Sequence, residues 1–587
     1  MQKPGLPIII RTSTLAMLLL VAVMVAGCSK STSTSTATTT IEVNRTLFPQ
    51  ASATDLPDLS TPTSTKTVIP TVGTPEPSDQ SGLIVFAMGD GQYKHLFVYH
   101  PSFLPITRLT ADPWNFDYPA ISPDGTKIAY CADQYGKWDI FILDLALNQT
   151  ERLTESETYT CAPTWSPDGQ WLAVETYQDG RFDILILPVA DENANSVKLT
   201  ENSGNNFSPN WSPDGRQVAF VSDRTGHNEI RIARLDNPDD RFIIAATSSD
   251  ADYSSPSWSP DGSSLAWTRT DEQSTIEVIH FTDEESHVTS LGVGTKPVWL
   301  PEGNGVLALL VLPNEYDFIA YESSNARLLL PPIPLPGQVT AYDWQSNGFA
   351  KNITAYLANT NLPEPASLWQ PREITSGSQT QANKLVEVSG ITAPEPYLSD
   401  AVIDNFKNLR TALAETLGWD YLETLENASL SLDSLPPAGT AENWLYTGRA
   451  FASNQIPLEA DWMAVTREDF YGKTYWRVWL KCYDQDGSCG TPVRAPSWDF
   501  SARYAADVTA LENGGKENGT LSGYWIDFTE FASRYGWERI PSNSDWRSYF
   551  PSIQLNVFVQ RESLSWLDAM LQIYPLETIQ SFLESSK

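Results

Sequence analysis

At 587 residues the chain exceeds what one hydrophobic core supports, so two or more domains are expected. It carries 38 Lys+Arg against 72 Asp+Glu, a formal charge of −34, and so acidic a surface repels phosphate backbones, which excludes nucleic acid as a partner. The 20 Trp, 23 Tyr and 22 Phe suit large cores and ligand-stacking surfaces equally well, and composition does not separate the two.

Residues 1–28 read as an export signal: Lys3 and Arg11 are its only charges, and an apolar run from Leu15 to Ala26 follows. That run is too short to cross a bilayer as a helix. It ends in Val25-Ala26-Gly27-Cys28, which resembles the bacterial lipobox and implies lipidation of Cys28 with more than one acyl chain, enough for a stable anchor. The expected location is therefore extracytoplasmic, lipid-anchored to the bacterial cell membrane. Residues 29–80 are rich in Ser, Thr and Pro; such a stretch buries too little apolar surface to offset its backbone entropy and is expected to be a disordered tether.

From residue 81 a repeat takes over. Trp-Ser-Pro-Asp-Gly stands intact at Trp165–Gly169, Trp211–Gly215 and Trp258–Gly262, behind an isoleucine at Ile121–Gly125, and in worn form from Trp299 and from Trp344. A period of about 45 residues, with turn residues at fixed offsets and strand-like sequence between them, predicts a β-propeller. In each copy Pro pre-sets a turn dihedral, Asp bonds the backbone after it and Gly takes the left-handed conformation, so these aspartates read as hairpin chemistry rather than as ligands or acids. Trp is placed to fill the gap between neighbouring blades.

The strings Ser208 to Ser222 and Asp139 to Asp144 resemble the PD40 (WD40-like) repeats of the TolB-type propellers. The resemblance implies six blades of four antiparallel strands over about 81–350, with the strand near Trp344 completing the blade begun at Leu83. The chain lacks the small domain that TolB itself carries between signal and propeller. The loops just before each motif are the candidate binding surface, because propeller function collects on one face around the channel. They contribute Trp114, Phe116, Asp117 and Tyr118; Tyr159; Asn205, Asn206 and Phe207; Asp252 and Tyr253. Their mix of aromatics with Asn and Asp suits a peptide or a sugar.

Residues 351–390 read as a connector with some strand, and 391–587 as a smaller α+β domain. Its first helix carries Val402, Phe406, Leu409 and Leu413 on one stripe, with Ser399 as expected cap and Gly418 as stop. A hairpin from Met463 to Tyr483 follows, then short helices near Thr529 and Ser565. The segment Asn443 to Ala452 resembles the Ser-x-His-x-x-Gly-x-Ala-x-Asp signature of M15 (D-Ala-D-Ala carboxypeptidase-like) zinc peptidases: Gly448 and Ala450 match, but Leu445 and Ala452 stand at the His and Asp ligand positions. All five histidines lie between His95 and His287, so the C-terminal domain has no imidazole for zinc or for Ser-His-Asp catalysis. Trp444, Tyr446, Gly448 and Arg449 remain as a degenerate binding groove. Carboxylate pairs such as Glu468 with Asp469, or Asp527 with Glu530, read as solvated faces.

Cys482 and Cys489 flank a turn and are expected to bond; Cys131 and Cys161 fall in adjacent repeats and are left unassigned. The sequence thus predicts a mainly β chain, a six-bladed propeller followed by a smaller α+β domain. It needs no metal or cofactor. The expected role is non-catalytic binding of an envelope protein or a peptidoglycan or peptide ligand. The alternative is a peptidoglycan hydrolase with non-standard ligands.

Overall fold

The computed structural model describes residues 82–585 apart from 190–194, 201–203, 238–240, 282–286, 346–347, 361–382, 435–441 and 506. The expected signal and lipobox (1–28), the tether (29–80) and much of the connector lie outside the described residues. Among the described residues no helix is long and apolar enough to cross a membrane.

Six antiparallel sheets of four strands follow the repeat. The second blade shows the pattern: Phe116–Ile121 is innermost, then Lys127–Ala132, Asp139–Asp144 and the outer strand Gln149–Arg152. The next four blades have Tyr159–Trp165, Asn206–Trp211, Asp252–Trp258 and Thr295–Trp299 as inner strands, each packed on the next. The first blade is assembled from both ends of the array. Val339–Gln345 pairs with Leu83–Asp90, Ile84 opposite Trp344, and its inner strand packs against both Thr295–Trp299 and Phe116–Ile121, which closes the ring.

The motif acts as hairpin chemistry. The Ser122 hydroxyl donates to Asp124 Oδ1 at 2.6 Å, the same oxygen accepts from the Thr126 backbone, and Gly125 sits at φ 67°. Such donors hold the Asp168 carboxyl below its usual range, the Ser166 hydroxyl first among them. The tryptophans fill the seams between blades: Trp165 Nε1 donates to Ala120 O at 3.0 Å and Trp299 Nε1 to Ser257 O at 2.9 Å. Neighbouring inner strands are also stitched by side chains, since Asp343, Thr164 and Asn210 accept from the backbone N–H of Ile121, Trp211 and Trp258.

After the closing strand the chain forms a helix, Phe349–Asn359, whose Phe349, Ile353 and Tyr356 pack on the first and second blades. The connector expected over 351–390 does hold a strand, Leu385–Glu387, but begins as this helix; Phe, Ile and Tyr at positions 349, 353 and 356 share a helical face, a signal too short to outweigh the prolines that follow. In the C-terminal domain the helix is Ile403–Leu417, ended by Gly418 at φ 78°. Ser399 does not cap it: the N-cap is Val402, and Ser399 closes a short strand, Tyr397–Ser399. That helix covers two small sheets, one built on the hairpin Met463–Phe470 with Lys473–Lys481, the other on Ala450–Ser453. Trp476, Val478 and Leu480 all face the core, as their alternation predicts.

Both cysteine pairs are bonded, Cys482–Cys489 with Cα atoms 5.9 Å apart and Cys131–Cys161 with Cα atoms 5.2 Å apart. The second pair spans a blade seam, where Lys127–Ala132 of one blade packs on Tyr159–Trp165 of the next. The chain-entropy model credits the two loops with about 2.5 and about 3.7 kcal/mol.

His95 is buried on the strand Tyr93–His100, and burial together with Arg108 and Arg534 pulls its imidazole down to about 3. Its folded pKa lies below the unfolded value, so the unfolded chain takes up this proton first and stability falls as pH drops from about 6.5 toward 3. His95→Gln is expected to flatten that decline, read as the difference in urea midpoint between pH 7 and pH 5.

Candidate functional site

Five inner strands carry the same irregularity. Tyr118, Ala162, Ser208, Ser255 and Lys296 have φ between 49° and 54°, and each precedes a proline: Pro119, Pro163, Pro209, Pro256 and Pro297. Pairing with the second strand slips at each point, so each is a β-bulge. A left-handed non-glycine residue before proline is doubly disfavoured, and such strain collects where function requires a particular backbone. Side chains hold several of these bulges in place: Asp117 accepts from the Tyr118 N–H, Glu175 from that of Ser208 and Thr268 from that of Lys296. In the first blade the slipped residue is Thr340, without the proline.

All five pairs line one mouth of the channel, and the C-terminal domain roofs it. Between them lie two adjoining cavities of about 500 and 560 Å³ that share Tyr118, Ser255, Lys296, Thr340, Arg467, Glu468, Arg494 and Trp498. Arg494 anchors the roof. Its guanidinium lies between the Tyr118 and Phe182 rings, 5.2 Å from each centroid, donates to the Tyr159 hydroxyl at 2.8 Å and pairs with the fully buried Glu175. Around it Trp138 Nε1 donates to Gly490 O at 3.0 Å, Gly523 N–H donates to the Tyr177 hydroxyl at 2.7 Å, and Cys482 and Tyr524 join the core of the second to fifth blades. A Cβ on Gly487, at φ 91°, would stand 2.7 Å from Thr158 O, so only glycine permits this approach. On the far side Arg534 donates to Gln92 O and Arg539 to Pro313 O.

The electrostatics are tightly paired. Burial alone would raise the Asp117 carboxyl, but Lys94 at 3.1 Å, the Thr340 hydroxyl and the Tyr118 N–H outweigh it and hold it low. Glu468 is likewise pulled down to about 2, its burial overcome by Arg477 and Arg539, and Arg477 also holds Asp527 at 2.6 Å. Glu468 and Asp527 are thus engaged in ion pairs, as are Asp469 with Arg467 and Glu530 with Arg534, which corrects the reading of these four as solvated faces. Glu517 moves the other way, pushed up by burial and by Asp252.

The structure divides the predicted loop residues. Tyr118, Phe207, Asp252 and Tyr253 line the first cavity, and Asp117, Tyr118 and Tyr159 the second. Phe116 is core, and Trp114 packs beside it. Asn205 clips a turn through Asp223, and Asn206 is buried, accepting from Arg224. The predicted groove is not a groove: Tyr446 is fully buried against Phe582, a Cβ on Gly448 would strike Leu385, and Arg449 is buried in an ion pair with Glu562 at 2.7 Å. Trp444 carries the Arg561 guanidinium on its ring. Leu445 and Ala452 pack together with Val559 in an apolar cluster. Sequence reasoning missed Lys296, Arg467, Arg494 and Trp498; the signal for the first was the X-Pro pair that recurs shortly before five of the six motif copies.

Arg494→Met leaves Glu175 buried without its cation, an expected loss of about 3–5 kcal/mol. Adding Glu175→Gln is expected to restore part of it, as read by urea unfolding of the two variants.

Residues 116–331 match the model of the PD40 TolB beta propeller domain. Among solved structures, TolB from Acinetobacter baumannii is similar at 21% identity over 46% of this chain and 67% of that one, with a TM-score of 0.40. A puromycin-hydrolyzing peptidase of Mycobacterium tuberculosis is similar at 16% identity over 42% of this chain and 41% of that one, with a TM-score of 0.34. Comparison with curated proteins finds no match. The propeller is thus a PD40, TolB-type domain, and the C-terminal domain that roofs it lies beyond the matched residues.

Proposed function

We propose that the chain is a non-catalytic binding protein of the bacterial cell envelope, anchored by lipid at Cys28, whose ligand occupies the cavity between propeller and C-terminal domain. The observation that carries this reading is the cavity itself: a ring of strained bulges faces a roof fixed by Arg494, with Tyr118, Phe207, Tyr253 and Trp498 in its walls. Enclosed, partly aromatic clefts with a few fixed charges between domains suit ligand capture. The ligand is a peptide, supplied by an envelope protein or by a peptidoglycan stem.

The C-terminal domain serves as a peptidase-like module without chemistry of its own. Two positions that the M15 resemblance assigns to zinc ligands are Leu445 and Ala452, in apolar packing, and zinc needs imidazole, thiolate or carboxylate. Its work is to close the channel mouth and to present Arg467, Trp498 and Glu517 to the ligand.

Full-length protein is expected to bind isolated sacculi or peptides ending in D-Ala-D-Ala without releasing D-Ala and without stoichiometric zinc. Tyr253→Ala is expected to weaken binding at least ten-fold in a sedimentation assay; turnover with bound zinc would establish the hydrolase instead. Cys28→Ser is expected to move the protein from the membrane to the soluble fraction on cell fractionation.

A further inference from the structure

Among the cations in the cavity walls, charge accounting leaves one group over. These cations are Lys94, Lys296, Arg467, Arg477 and Arg494. Lys94 pairs with Asp117, Arg467 with Asp469 at 2.8 Å, Arg477 with Glu468 and Asp527, and Arg494 with Glu175. Lys296 has no carboxylate within ion-pair distance among the described residues. Its Nζ donates to one acceptor, the backbone oxygen of Thr340. An ammonium has three N–H donors, so two remain for whatever enters.

The backbone aims this side chain. Lys296 occupies the bulge of the sixth blade at φ 54°, its N–H bound by Thr268 and its carbonyl oxygen accepting from the Tyr342 hydroxyl. Lys94, Arg494 and Arg477 act on the ammonium with like charge, and Asp117, the carboxylate that opposes them, is already engaged by Lys94, Thr340 and Tyr118. An unpaired cation set beside other cations is costly until an anion arrives.

We propose that Lys296 captures the terminal carboxylate of a peptide bound in this cavity, its two spare N–H groups completing the ion pair. The inference rests on the reading of the cavity as the ligand site. A single negative charge fits best, because Asp252 and Glu517 line the same walls and would repel a phosphate dianion or the repeated anions of a uronic-acid polymer. A peptide carries one carboxylate at its end and N–H donors along its length, which those acids accept. The tyrosine, phenylalanine and tryptophan rings of the wall take its side chains.

Lys296 supplies its own signature. Burial and then the cations Lys94, Arg494 and Arg477 draw its ammonium down to about 8, against the opposing pull of Asp117. The charged form binds the carboxylate, so affinity holds below pH 8 and falls as pH rises above it. Arginine stays charged throughout this range.

The test uses full-length protein and randomised tetrapeptides of L- and D-residues tethered by their N-termini, one pool ending in a free carboxylate and one in an amide, with polygalacturonate beads as a third arm. Retention at pH 7 is expected to be at least ten-fold greater on the carboxylate pool and to fall between pH 8 and pH 10. Lys296→Met is expected to reduce it to the amide level. Lys296→Arg is expected to keep retention and lose the fall with pH, which tests the inference even where the methionine variant folds poorly. Equal retention on both peptide pools, no retention on either, an unchanged pH profile in Lys296→Arg, or preference for polygalacturonate overturns it. Binding of sacculi that is sensitive to Tyr253→Ala but indifferent to Lys296 would sink this inference alone and leave the cavity as a ligand site.

Discussion

Pairing of Val339–Gln345 with Leu83–Asp90 holds the two ends of the repeat array in one sheet, and nearly everything else in the molecule leans on that closure. A propeller left open would expose the inner edge of the first blade and separate it from the sixth. The closing strand also carries Thr340, whose hydroxyl donates to Asp117 and whose carbonyl receives Lys296. One residue therefore joins the blade that closes the ring to the blades on either side of it, and stands in the cavity wall as it does so. Fold closure and site geometry are the same contact seen from two directions.

The acidic balance of the chain hides how sparingly charge is left unpaired inside it. Arg477 holds two carboxylates, Arg494 is held by a buried glutamate and two aromatic rings, and Arg534 grips both carboxylate oxygens of Glu530 through Nε and one terminal nitrogen. Buried pairs of this kind add little net stability compared with apolar packing, but removing one partner is expensive, and the pair that crosses to the propeller, Arg494 with Glu175, helps fix where the C-terminal domain sits. Set against that economy, a lone lysine in a cavity wall is a departure from the local rule.

The propeller was readable because its signal is a repeat: the same five residues recur with the same turn chemistry, and each copy reinforces the others. The hairpin with Trp476, Val478 and Leu480 was readable from its alternation. The site was only half readable. Loops before the motifs pointed to Tyr118, Phe207, Asp252 and Tyr253, yet the same loops held Phe116 and Asn206, which the core absorbed. Nothing in a one-dimensional string says that Arg494, more than 300 positions away, will stack on Tyr118. The M15-like motif misled in a different way: its surviving Gly448 and its Arg449 keep their places for packing and for a buried ion pair, not for a ligand.

The two disulfides belong to one neighbourhood. Cys131 and Cys161 lock the seam between the second and third blades, Cys482 and Cys489 shape the loop that settles on that seam, and all four lie in or against a single apolar cluster. Reduction would slacken the seat and the loop together. The oxidising state of the compartment in which the chain matures therefore bears on how firmly this one contact between the two domains is held.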